Sequence, residues 1–173
     1  LAICIPLSRL ARRLELRQKL LELYDDKVPE VERAAPHLEE ILAREPGNAI
    51  ARRVAARLLS NKAVGARVAA TMEKVYEAEG DRSGVSQMLA MQIEQLRGPK
   101  KAEAQRRLGV LLHDDGDEAN AYAAFESVLA IDPSDEEVRV RYVDLARKLG
   151  KQADAAKILT RAAAAVKSAP ARA

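Results

Sequence analysis

At 173 residues the chain is long enough for one ordinary core, yet 48% hydrophobic content with only 3% aromatics points to thin alanine- and leucine-packed layers instead of a thick globular centre. Its 29 basic and 26 acidic residues interleave and leave a formal charge of +3, which argues against a nucleic-acid reader, whose basic residues would dominate one face. The single cysteine, Cys4, excludes an internal disulfide framework and a multi-cysteine metal site, and it fits either a reducing compartment or a domain that needs no covalent staple; the compartment stays open, with the cytoplasm favoured.

Ala, Leu, Glu, Arg and Lys dominate, all residues that lose little freedom in a helix, and no run of Val, Ile, Thr or aromatics alternates as a strand would. The expectation is an all-α chain. Residues 1–7 form an apolar segment, Leu1-Ala2-Ile3-Cys4-Ile5-Pro6-Leu7, far short of the roughly 18 residues that span a membrane. No basic region precedes it as in a signal peptide. A membrane partner is therefore not expected. Because no initiating Met is present, the segment reads as the end of an upstream element in a longer polypeptide.

Glycine and proline mark the helix boundaries, and nine helices follow in chain order. The first spans about Ser8 to Asp26, and the second about Pro29 to Arg44, where Pro36 must either kink that helix or begin it. Asn48 caps a short third helix to Ser60. The fourth, from about Val64, carries Val64, Val68, Met72, Val75 and Tyr76 at helical spacing and stops before Gly80. Val85, Met88, Leu89, Ile93 and Leu96 stripe the fifth before Gly98-Pro99, and Ala104, Leu108, Leu111 and Leu112 the sixth before Gly116. The seventh runs from about Asp117 to Ile131. Ser134 with Glu137 is expected to form a capping box for the eighth, which ends before Gly150. The ninth presents Ile158, Leu159 and Ala162, and residues 167–173 form a flexible tail.

Tyr76-x-x-x-Gly80-Asp81, Leu112-x-x-x-Gly116-Asp117 and Ala146-x-x-x-Gly150-Lys151 recur 36 and 34 residues apart, the period of a helical-hairpin repeat. Ala102 to Asp135 resembles a tetratricopeptide repeat, with Leu108-Gly109, Leu112, Ala121, Phe125 and Pro133 at that motif's apolar, small and proline positions. Glu136 to about Val166 resembles a second copy through Tyr142, Ala146, Gly150, Ala155, Leu159 and Ala162. Ala66 to Gly98 is a weaker third copy, and the first helix pair a degenerate fourth that leaves the third helix odd. The chain thus divides into residues 8–101, degenerate hairpins, and 102–166, two clearer ones. In style it resembles long bacterial helical-repeat arrays. The resemblance implies a right-handed α-solenoid of antiparallel hairpins.

Catalysis finds no support. His37 and His113 are the only histidines and lie in different repeats, and Asp25-Asp26 and Asp114-Asp115 occupy equivalent ends of first helices, where turn chemistry explains them. Each glycine is isolated, so no phosphate loop exists, and no ligand spacing matches zinc or calcium. No enzyme activity, cofactor or metal is expected. In the first helix Arg9, Arg12, Arg13, Arg17 and Lys19 are dense, but Glu15 and Glu22 dilute them and no aromatics interleave for base stacking. Leucines there cover two faces, with Leu16, Leu20 and Leu23 on the second, so further repeats or another copy of the chain should cover that helix.

The tetratricopeptide resemblance also implies that first helices line the binding groove. It assigns Lys74 and Glu77, then Arg106, Val110 and His113, then Val140, Asp144, Arg147 and Lys148 to that surface. The asparagine-rich carboxylate clamp of some relatives is absent, since Asn48, Asn61 and Asn120 all lie elsewhere. The expected function is a non-catalytic scaffold that binds a protein or peptide. The alternatives are a structural segment that assembles end to end or with itself, and the helical accessory region of an enzyme.

Overall fold

The computed structural model describes residues 7–26 and 31–168, and the side chains of all of these except 7–10, 21–26, 31, 32, 162 and 165–168. Residues 1–6, 27–30 and 169–173, the last including most of the expected tail, lie outside the described residues; the ninth helix continues through Lys167 and Ser168. Among the described residues there are nine α-helices and no strand: α1 Leu7–Asp26, α2 Ala35–Arg44, α3 Ala49–Leu58, α4 Gly65–Glu79, α5 Arg82–Gln95, α6 Gly98–Asp114, α7 Glu118–Ile131, α8 Glu136–Lys148 and α9 Gln152–Ser168. The all-α hairpin architecture read from the sequence is the one observed. No helix among the described residues is long and apolar enough to cross a membrane.

The chain forms two compact units, 1–92 and 93–173. In the first, apolar residues three and four apart make one buried stripe per helix: Leu38, Ile41 and Leu42 on α2, Val54, Ala55 and Leu58 on α3, Val68, Ala69 and Met72 on α4. A fully buried leucine or valine contributes roughly 1.5–3 kcal/mol relative to exposure, so these stripes dominate the unit's stability. Helix α2 packs against both α3 and α4, while α1 lies against α2 and α3. The contacts therefore pair α2 with α3 across Pro46-Gly47, and the odd helix is α1 rather than the third. Pro36 starts α2 instead of kinking it: a 3₁₀ turn over Val31–Ala34 precedes the helix, and the proline sits in its first turn, where no ladder hydrogen bond is lost.

In the second unit α6 pairs with α7 and α8 with α9, and α7 also touches α8 and α9. Helix α6 begins at Gly98 with Pro99 in its first turn, four residues before the expected start of the hairpin at Ala102. Helix α8 is capped by Asp135, whose carboxylate accepts from the Val138 amide at 3.0 Å, and the Ser134–Glu137 capping box does not form. Ser134 turns back instead, its amide donating to Asp132 Oδ1 at 3.0 Å. Glu137 faces Arg106 and Arg141.

The repeated Gly signature has a hydrogen-bond basis. Gly80, Gly116 and Gly150 adopt φ of 71°, 81° and 69°, the left-handed region that a side chain resists. That geometry lets the next residue's amide reach back: Asp81 donates to the Tyr76 carbonyl at 2.9 Å, and Asp117 to Leu112 and Lys151 to Ala146 at 2.8 Å each. Changing Gly116→Ala is expected to cost about 1–2 kcal/mol through forced left-handed backbone. Gly47→Ala, where a Cβ would meet nothing within 4 Å, should be close to neutral. Urea unfolding of both variants measures the contrast, and equal midpoints would contradict it.

Candidate functional site

The hairpin pairing makes α2 and α4 the first helices of consecutive hairpins in the first unit. Between them lies a cleft of about 570 Å³, lined by Glu39, Leu42, Ala43 and Pro46 from α2 and its exit and by Arg67, Ala70, Thr71, Lys74, Val75 and Ala78 from α4. Leu42 and Val75 are buried and supply its floor. The room exists because Ala43, Ala70 and Ala78 carry nothing beyond Cβ. Arg67 grips Glu39 across the two helices through Nε and Nη2, the Nη2–Oε2 arm measuring 2.8 Å. That hydrogen bond, followed by the carboxylate's charge, pushes the Arg67 guanidinium still further above its ordinary value.

Lys74 lies in this cleft and is exposed, and Glu77 is exposed one turn on. The other residues assigned by resemblance lie in the second unit. Arg106 on α6 reaches α8, with Nη1 3.4 Å from the Glu137 carboxylate and 4.0 Å from Asp135, so acids of the same chain already neutralise it. Val110 is half-buried and packs against the second unit's core. His113 is half-buried, with Nδ1 3.6 Å from the Asp114 carboxylate.

On α8, Val140 is 57% exposed. Asp144 and Arg147 pair with each other at 3.3 Å. Lys148 is drawn to α7, where Nζ meets Glu118 at 2.7 Å. Val140, Asp144 and Arg147, spaced by four and three residues, share one face of α8, and Lys148 leaves it.

Two features escaped sequence reasoning. One is the set of alanines that opens the cleft, whose only signal is three small residues exposed or half-buried on first helices. The other is a buried pair, Tyr122 on α7 and Tyr142 on α8, with ring centroids 4.5 Å apart at 17°. Tyr142 Oη donates to Tyr122 Oη at 2.8 Å, and Lys151 Nζ sits 4.8 Å from the Tyr122 ring centroid. Among the described residues no group of three or more His, Cys, Asp and Glu could hold a metal ion.

Residues 112–173 match the tetratricopeptide repeat family model. A solved MamA structure (AMB-1) is 21% identical, with 93% of this chain and 87% of that one covered, at a TM-score of 0.51. A MamA mutant is 20% identical over 93% and 87%, at 0.50. The TPR-like repeats of a Podosopora anserina kinesin light chain are 18% identical over 92% and 78%, at 0.43. At such identities the MamA likeness establishes the fold alone. No curated protein matches the sequence.

Proposed function

We propose, from the premise that this chain is a tetratricopeptide-like helical-repeat protein, that it is a non-catalytic scaffold holding another protein on the exposed faces of its first helices. The observation that carries the reading is the α2–α4 cleft, a recess of about 570 Å³ with an apolar floor and a charged rim. Clefts with a few polar groups over an apolar base are where proteins seat ligands. In the second unit the corresponding surface is the Val140, Asp144 and Arg147 face of α8. Arg106 and Lys148 set that unit's charge pattern through their partners Glu137 and Glu118.

The test is affinity capture from cells with the full chain, identified by mass spectrometry, then repeated with Lys74→Glu and with Val140→Asp/Arg147→Glu. All three changes are at exposed positions, so circular dichroism should report an intact fold. Loss of the same partner from either variant is the expected result. Retention of every partner by both would sink the assignment of these faces.

The second reading, assembly, draws on Leu16 and Leu20 of α1, which are 59% and 36% exposed. Two leucines one turn apart on an open face favour association with a second copy. Sedimentation of the chain against Leu16→Glu/Leu20→Glu decides it: a concentration-dependent increase in mass that the double variant abolishes supports assembly, and a monomer in both removes it.

A further inference from the structure

Lys74 and the Arg67–Glu39 pair divide the rim of the α2–α4 cleft into one spent and one unspent charge. Arg67 and Glu39 bind each other across the helices, which holds the helix spacing and withdraws both from any ligand. Lys74 lies two turns beyond Arg67 on the same face of α4, and among the described residues it makes no ion pair. Thr71, between them, turns its hydroxyl back to the Arg67 carbonyl at 3.2 Å and offers no donor outward. The floor beneath is hydrocarbon, formed by Leu42 and Val75, with Ala43, Ala70 and Ala78 as low walls.

Resting on the scaffold reading above, we infer that this cleft takes an acidic segment of a partner protein, seating one aliphatic side chain between Ala43 and Ala70 and pairing a neighbouring carboxylate with Lys74. The charge balance selects the occupant. A basic segment would meet Lys74 with no free acid to offset it, because Glu39 is committed to Arg67. An apolar segment without an acid would leave Lys74 to be partly desolvated without a partner. A nucleic acid would need several cations and a stacking ring, and the cleft is lined by two cations, one already neutralised, and no aromatic.

Fluorescence anisotropy with the full chain tests the inference, using labelled Ala/Ser-host peptides that carry a central Leu flanked by Asp. Two comparison peptides replace Asp with Lys, or Leu with Ser. On the wild-type chain the Leu/Asp peptide should bind about fivefold or more tighter than its Lys counterpart, the upper range for one exposed ion pair. Lys74→Glu should invert that order. Ala70→Leu, which fills the recess from an accessible position, should abolish binding of both while thermal unfolding stays cooperative. An unchanged preference in Lys74→Glu overturns the inference, as does failure of every peptide to bind. If partners captured from cells depend on Val140 and Arg147 but not on Lys74 or Ala70, the scaffold reading stands and this inference alone falls.

Discussion

Replacing Phe125 with alanine is expected to cost about 3–5 kcal/mol. Phe125 is fully buried, and its ring lies against Gly109 of α6. A Cβ built on Gly109 of α6 would come within 2.6 Å of the ring's Cε1 and 2.8 Å of Cδ1. Gly109→Ala therefore meets a filled space. Intrinsic helix preference would favour alanine by about 1 kcal/mol, but overpacking costs typically about 1–3 kcal/mol, and overpacking should win because the ring has no exposed direction in which to retreat. The two changes should be strongly coupled. In the Phe125→Ala background the obstacle is gone, so Gly109→Ala should turn neutral or stabilising, since alanine restores helix preference and fills part of the cavity. Urea unfolding of the wild type, both single variants and the double variant gives the coupling energy directly. Additivity within about 0.5 kcal/mol would mean that the ring does not rest on Gly109.

The same contact shows what the sequence made legible. Leu108-Gly109 and Phe125 stand at fixed offsets in a repeat, so the small position on α6 and the large one on α7 are legible in sequence, while their direct contact belongs to the structure. Helix ends were readable for a similar reason: Gly80, Gly116 and Gly150 each do a job that other residues do badly. The cap of α8 was not. Ser134 and Asp135 are adjacent and both cap well, and their order is settled only when Asp135 Oδ1 meets the Val138 amide.

The odd helix was misplaced for a different reason. Apolar stripes on α1, α2 and α3 say that each helix buries a face but not which neighbour receives it. The cleft left the weakest trace, because a recess is an absence of side-chain volume, and Ala43, Ala70 and Ala78 read in sequence simply as good helix formers. Lys74 was assigned to the groove through the register of the resemblance, but nothing in sequence pairs Arg67 with Glu39, 28 residues away, and so nothing isolates Lys74 as the cation left over.

Alkaline unfolding should single out Tyr142. Its side chain is fully buried, and burial first, then the hydrogen bond to Tyr122, then the negative charge of Glu126 push its ionisation well above the ordinary tyrosine value of about 10. The unfolded chain releases this proton near pH 10 while the folded chain keeps it. The folded state thus binds more protons, and stability must fall as pH rises. The contribution is complete below about pH 10 and declines by about 1.4 kcal/mol per unit above it. Tyr142→Phe keeps the stacked ring but removes both the hydroxyl and this slope. At neutral pH it should cost about 1–2 kcal/mol, because the donor to Tyr122 Oη is lost inside the core. Groups away from this pair are common to both proteins, so the difference between them reports on the Tyr122–Tyr142 hydroxyl pair. That difference should shrink steadily above about pH 10 and vanish near about pH 11, as the wild type alone loses stability through this group. Urea midpoints measured from about pH 7 to about pH 11 follow it. Parallel curves across that range would mean that Tyr142 ionises in the folded protein as readily as in the unfolded chain, and that the Tyr122–Tyr142 pair is open to water.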